Sequence, residues 1–221
     1  MEHPVSQPDA AEMWNRRYGA DEYVYGHEPN DLVAAGFADG GYVGAVSSNG
    51  QAVVPMDVLV LADGEGRNGV WLAGQGHRVT TVDISDAGVA KARALAADKG
   101  VEMDIRQGDL MTFDLGEDRW DVIVSIFAHT PPPVRTRVHN SIAAALKPGG
   151  RLVLEAYTPA QAPRDTGGPG VAKMTMTLAE LRHDLTGMVI DRGEEFDRDV
   201  QEGPGHTGLG SVVQVEAHRP A

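Results

Sequence analysis

Gly64, Gly66 and Gly69 spell G-x-G-x-x-G directly after the apolar run V-L-V-L. An apolar run, two closely spaced glycines and an amphipathic stretch have the sequence form of a buried strand, a tight turn and a helix start. Such a junction lets a ligand approach bare backbone and the free N–H groups of the helix. Asp83 stands at the end of the next apolar run, where an acid binds a ribose hydroxyl. Taken alone, these residues match a dinucleotide fingerprint, and the chemistry expected is hydride transfer with NAD or NADP. Asp109, in Q-G-D-L, follows a third strand, where an adenine amino group can be read. Two histidines are placed to move a proton: His129 in A-H-T-P-P-P and His206 in G-P-G-H-T-G. Arg135 and Arg164 suit an anionic substrate. Plainer readings stand beside these. Asp83 can cap the helix that follows it, Asp109 can be a turn residue, the histidines can be structural hydrogen-bonders, and Arg135 can lie on a solvated helix face.

These residues need strands and helices to hold them. Residues 57–61 read as a first strand, and 67–75 as a helix that stops at Gly76. A second strand is expected over 78–82. A Ser85 cap and an alanine-rich helix over 87–99 follow, ending at Gly100. Strands are expected over 102–106, 120–126 and 151–156, with a helix over 133–146 and a K-P-G-G turn before the last of them. This alternation implies a parallel sheet with helices on both faces. Upstream, residues 1–8 read as a loose tail, Asp9 as the cap of a short helix ending near Gly19, and Asn30 or Asp31 as the cap of a helix from Leu32. Residues 36–51 read as a helix end and a loop. Downstream, 158–175 reads as a mobile loop, and Thr177 with Glu180 as a capping box. Strands over 188–195 and 211–218 are joined by a loop too short for a crossover helix, so they pair antiparallel. One domain over 1–221 is the simplest account. Within it, 1–50 is an N-terminal segment, 55–155 the cofactor-binding core and 156–221 the substrate side.

The composition narrows the partners. The chain has 221 residues, 42% of them hydrophobic, and a formal net charge of −13. Such an acidic chain is not drawn to nucleic acid phosphates or anionic membranes, so a small molecule is the expected partner. With no cysteine there are no disulfides, thiolate metal sites or cysteine nucleophiles, and no metal site is expected. The polar start M-E-H-P-V-S-Q-P-D is unlike a signal peptide, and no apolar run approaches the roughly 18 residues of a membrane span. A cytoplasmic protein is expected, of undetermined oligomeric state.

Asp109, the K-P-G-G turn and the terminal hairpin are features a nicotinamide fold does not need. Together they resemble the class I S-adenosylmethionine-dependent methyltransferases. The motifs W-N-x-R-Y, Y-x-Y-G-x-E-P-N, L-A-D-G-E-G-R-N, H-T-P-P and L-E-A-Y-T-P are similar to a bacterial subgroup of the tellurite-resistance type. The resemblance covers roughly residues 55–155 by motif and the final hairpin by layout. It implies a Rossmann-like seven-stranded sheet of order 3-2-1-4-5-7-6 with strand 7 antiparallel, and an N-terminal helical lid. It implies that Ala62, Gly64 and Gly66 pass the methionine part of the cofactor, with Asp63 and Asn68 also among the cofactor-binding residues and Gly69 incidental. Asp83 would hold the ribose, Ile84 would lie against the adenine, and Asp109 with Leu110 would read it. Ala128 and His129 would border the methyl acceptor. Val60 departs from the family, which often carries an acid there, and Asp63 and Glu65 are the nearby replacements. Trp14, Tyr18 and Tyr25 would form a lid over the sulfonium, whose charge favours aromatic faces, and Asn30 would hold that lid shut.

The expected reaction is methyl transfer from S-adenosylmethionine to a small molecule, leaving S-adenosylhomocysteine. An oxyanion, a thiol or another small metabolite all fit as acceptor. His129, His206 and Arg135 are the candidate catalytic groups. Two other readings stay open: an NAD(P)-dependent oxidoreductase, and a cofactor-binding sensor or partner without turnover.

Overall fold

The computed structural model describes residues 7–37 and 54–221. The expectations for 1–6 and 38–53 lie outside the described residues. Asp57–Leu61 form β1, near the centre of a seven-stranded sheet. Val58 to Leu61 are at most 1% exposed. A strand apolar on both faces needs cover on both sides, and that is where the helices go. β1 pairs in parallel with β2 (Arg78–Asp83) and with β4 (Trp120–Ile126). β2 pairs in parallel with β3 (Asp104–Gln107), and β4 with β5 (Leu146–Tyr157). β6 (Val189–Gln201) and β7 (Thr207–His218) form the hairpin, with β7 antiparallel to both β5 and β6. The order is 3-2-1-4-5-7-6, with strand 7 antiparallel, as the family resemblance implies.

The helices in chain order are α1 (Gln7–Tyr18), α2 (Asp31–Phe37), α3 (Arg67–Gly74), α4 (Asp86–Lys99), α5 (Pro132–Ala145) and α6 (Leu178–Asp184). Alternate residues of the strands face opposite layers. Leu59, Leu61 and Ile123 pack with Val134, Val138 and Ile142 of α5 and Leu181 of α6. Val58, Val60 and Val124 pack with Leu32, Val33 and Phe37 of α2 and Leu72 of α3. Ser85 caps α4 by accepting from Gly88 N–H, and Thr177 with Glu180 makes the expected capping box. Among the described residues no helix is long and apolar enough to cross a membrane.

Several boundaries differ from the sequence reading. α1 begins at Gln7, so Asp9 lies inside it rather than capping it. K-P-G-G does not precede β5 but interrupts it: the pairing slips between Trp120 and Val122, opposite a bulge with Gly149 at φ 77°. β6 and β7 run further than expected and leave only a short turn at 202–206. The D-R-G-E-E-F-D-R-D stretch hid half of β6, because an edge strand carries charges rather than apolar alternation. Residues 158–175 are tied down rather than loose. Gln161 accepts Ser211 N–H at 2.9 Å and donates to Gly167 O at 3.0 Å.

Candidate active site

β1 ends in a turn built on left-handed backbone. Ala62, Gly64 and Gly66 have φ of 49°, 59° and 91°. A methyl group added at Gly64 would lie 2.6 Å from the Tyr18 hydroxyl, and one at Gly66 would lie 2.7 Å from Ala92 Cβ. Gly69 is not incidental. A Cβ there would meet Asp63 Oδ2 and Thr81 at 2.5 Å, so its lack of a side chain lets α3 close on β2.

Two carboxyl groups flank the turn and have different tasks. Asp83, at the end of β2, accepts Gly64 N–H at 2.8 Å and Ser85 N–H at 2.8 Å. Burial pushes its carboxyl up to about 6, and the hydrogen bonds from these neutral N–H groups only partly offset this. Asp63 has its Oδ2 at the start of α3, accepting Gly69 N–H at 3.1 Å. Gly66 at the N-cap has no side chain, so Asp63 does the capping. Burial pushes Asp63 up to about 7, and its Oδ1 has no hydrogen-bond partner among the described residues. The expectation that Asp63 lines the cofactor does not agree with this position under α3. Glu65 is engaged elsewhere too. One oxygen pairs with Lys91 at 2.8 Å and the other accepts Val24 N–H at 2.8 Å.

The adenine side follows β2 and β3. Ile84 is half-buried and Leu110 buried. Asp109 Oδ1 accepts Met111 N–H at 2.7 Å, which shapes the turn. Arg137 of α5 donates to Leu110 O and Phe113 O, each at 2.8 Å, and holds that loop in place.

The N-terminal segment covers the turn. Tyr18 is 5% exposed, stacks on Trp14 at 5.3 Å and meets Tyr25 edge-on at 6.3 Å. Asn15 accepts from the Ser85 hydroxyl at 2.7 Å and ties α1 to α4. Asn30 caps α2 by accepting Leu32 N–H, and its own N–H donates to Asn68 Oδ1 at 2.9 Å. Its amide nitrogen donates to Glu155 at 3.1 Å and Glu202 at 2.8 Å. Arg198 bridges the same two carboxylates at 2.7 Å each, and Arg67 also pairs with Glu202. This buried network joins the N-terminal segment to β5 and to the β6–β7 turn.

Beyond the sheet edge, rings converge. His206 lies 4.4 Å from Tyr25 and 4.6 Å from Phe127 between ring centroids. Phe127 stacks on Tyr157 at 4.5 Å, and Tyr157 meets His206 edge-on at 5.2 Å. Phe127 has φ 49°, and Ala128 beside it is half-buried. His206 Nδ1 and Tyr157 Oη are buried without a hydrogen-bond partner among the described residues. Burial, then the charge of Arg67, pushes the His206 imidazole down to about 2, so it is neutral.

Other expected groups are engaged. His129 Nδ1–H donates to Met174 O at 2.8 Å, and Nε2 accepts Tyr157 N–H at 3.2 Å. With both nitrogens occupied and burial pushing it down to about 4, His129 does not have the geometry of a base. Arg135 donates to Thr175 O at 3.1 Å and faces Asp184 at 3.4 Å, joining α5 to α6 instead of reaching a substrate. Arg164 pairs with Asp197 at 2.9 Å. Glu155 and Tyr157 were not singled out, although both lie in L-E-A-Y-T-P. An acid within an otherwise apolar central strand was the available signal.

Residues 58–150 match a family model described as a methyltransferase domain. Over 124 residues the chain is 28% identical to the 2-heptyl-1-hydroxyquinolin-4(1H)-one methyltransferase of Mycobacteroides abscessus, covering 54% of each protein. The chain thus spans about half the length of this curated relative. It is similar in fold to a structure described for the conversion of a disulfide bond into a thioacetal group during echinomycin biosynthesis (TM-score 0.72, 18% identity, 95% of this chain and 91% of that one). It is similar also to the [4+2]-cyclase SpnF (TM-score 0.67, 19% identity, 100% of this chain and 98% of that one). A third likeness is to an S-adenosylmethionine-dependent methyltransferase from Mesorhizobium loti (TM-score 0.59, 22% identity, 75% of this chain and 91% of that one). What these structures share with the chain is the methyltransferase form of the Rossmann-like fold.

Proposed function

We propose that the protein is an S-adenosylmethionine-dependent methyltransferase that acts on a small molecule. The observation that carries this reading is the carboxyl of Asp83 seated on Gly64 N–H while Asp63 already occupies Gly69 N–H. A dinucleotide needs the free N–H groups of the helix start for its pyrophosphate. Here the Asp63 carboxyl fills that place, which leaves a pyrophosphate without that donor. A ribose needs only an acceptor for its hydroxyls, and Asp83 offers one beside neutral donors. The match of residues 58–150 to a methyltransferase domain supports the same choice.

On this reading Gly64 and Gly66 pass the methionine part, Asp83 holds the ribose, and Ile84, Asp109 and Leu110 border the adenine. Bound there, the cofactor supplies a methyl group on a sulfonium, with its own leaving group. The chain's part is to align the acceptor and exclude water. Tyr18 and Tyr25 cover the turn, and the Asn30 network fixes that cover against β5 and β6. Residues 55–155 form the cofactor half and 156–221 the acceptor half of one domain. The subgroup likeness to tellurite-resistance-type proteins is supported by Tyr18, Tyr25 and Asn30, which fall in its motifs and make contacts at the site. The M. abscessus relative, named for a hydroxyquinolone, supports a small-molecule acceptor.

Equilibrium dialysis with S-adenosylmethionine and with NAD tests the reading. Retention of the first and not the second is expected, and the reverse would overturn it. A second reading, cofactor binding without turnover, draws support from the engaged nitrogens of His129. Release of S-adenosylhomocysteine in the presence of any acceptor excludes it.

A further inference from the structure

We propose that the ring cluster of Tyr25, Phe127, Tyr157 and His206 is the acceptor site. We infer that it takes a flat, uncharged aromatic compound bearing an acidic hydroxyl, whose hydrogen bonds to His206 Nδ1. This rests on the methyltransferase reading above and adds to it the class of substrate.

Position comes first. Tyr18 touches both the Gly64 turn and Tyr25, and Tyr25 touches His206, so the cluster is one ring away from the cofactor turn. Its members come from four separate places: the N-terminal segment, the end of β4, the end of β5 and the β6–β7 turn. The ends of parallel strands are where ligands sit in open α/β sheets.

Chemistry comes second. Aromatic side chains present faces and edges suited to another flat ring. Two buried polar atoms in the cluster, His206 Nδ1 and Tyr157 Oη, have no partner among the described residues. Buried polar groups are normally hydrogen-bonded, so a pair left open in one place marks a ligand with complementary groups. A hydroxyl can donate to Nδ1 and accept from Tyr157 Oη.

Charge comes third. Arg67 is matched by Glu202, and Arg198 by Glu155 and Glu202, while Arg17, whose charge also reaches Tyr25 and His206, lies over the Trp14 ring. The imidazole is neutral. An oxyanion would find Arg67 and Arg198 already matched, and two carboxylates close by. A neutral hydroxyl meets neither difficulty. Since the imidazole is a weak base in this setting, the hydroxyl must be one that gives up its proton readily. In the transfer the O–CH3 bond forms as the S–CH3 bond breaks. The hydroxyl proton passes to solvent, the imidazole stays neutral and only orients the oxygen, and the neutral thioether leaves.

Nitrogen NMR of histidine side chains, in protein saturated with S-adenosylhomocysteine, tests this with 2-naphthol and selenite as probes. The His206 resonance is assigned by its loss in His206→Gln. It should move with 2-naphthol and stay fixed with selenite. Tyr157→Phe should weaken 2-naphthol binding about fivefold, the effect of one hydrogen bond, and leave S-adenosylhomocysteine affinity unchanged. Calorimetry of that affinity also shows whether each variant is folded. In protein that binds S-adenosylhomocysteine, a resonance unmoved by 2-naphthol, or one moved only by selenite, overturns the acceptor class and leaves the methyltransferase reading in place. Failure to bind S-adenosylhomocysteine at all overturns both.

Discussion

Glu65 accepts the backbone N–H of Val24 at 2.8 Å, so a residue inside the glycine turn also fixes the segment that covers it. Its other oxygen holds Lys91 of α4 at 2.8 Å. The turn, the cover and α4 therefore meet at one buried carboxylate, and this explains why an acid follows Gly64.

Glu65→Ala should release the cover. Removing one partner of a largely buried ion pair costs about 3 kcal/mol, and two backbone N–H groups, those of Val24 and Tyr25, lose an acceptor. Urea unfolding should show the loss of stability, and limited proteolysis should cut the segment around residues 20–30 faster than in the parent protein.

Asp83 makes cofactor affinity depend on pH. Its carboxyl is raised to about 6 in the free protein, and the ionised form is the better acceptor for ribose hydroxyls. S-adenosylhomocysteine should therefore bind evenly above pH 7 and weaken up to tenfold per unit as pH falls well below 6. Calorimetry between pH 5 and 8 measures this. Asp83→Asn should bind more weakly at pH 8 and show no such slope.

Asp63 should make stability fall as pH rises. Its folded value is raised to about 7 from an ordinary 3.8, so the folded chain holds the proton more tightly than the unfolded chain. The stabilising contribution of the protonated acid is full below pH 3.8 and is lost as pH rises through 7. Asp63→Asn mimics the protonated form. The difference in unfolding free energy between variant and parent should grow in favour of the variant across that range, and denaturant titrations at pH 4, 5.5 and 7.5 would reveal it.

Asn30→Ala should loosen the cover from the other side. It removes the cap of α2, worth about 1 kcal/mol, and the buried bonds to Glu155 and Glu202. A total loss of about 2–3 kcal/mol follows if each buried partner left open costs about 1 kcal/mol. Thermal unfolding reads this directly.

The core strands were legible because β1, β4 and β5 are largely apolar on both faces and bounded by glycines and acids, while their order followed from the family resemblance. The hairpin's length was not, because β6 carries alternating charges that look like loop. At the site, Gly64, Gly66 and Asp83 stood out by spacing. Asp63 and Glu65 did not reveal their directions, because adjacent residues in a tight turn point to different neighbours. His129 looked like a base because its position follows β4. The carbonyl of Met174 and the N–H of Tyr157, 45 and 28 residues away, show that its ring is occupied. Tyr157 was hidden for the converse reason: an aromatic at the end of an apolar strand reads as core.

Calorimetry of S-adenosylhomocysteine binding to the parent protein and to Asp83→Ala tests the central claim most directly. The account predicts micromolar binding to the parent, loss of more than tenfold in the variant on removal of a charged hydrogen-bond acceptor, and no heat with NAD for either. Binding of NAD by the parent, or S-adenosylhomocysteine affinity unchanged in Asp83→Ala, would contradict it.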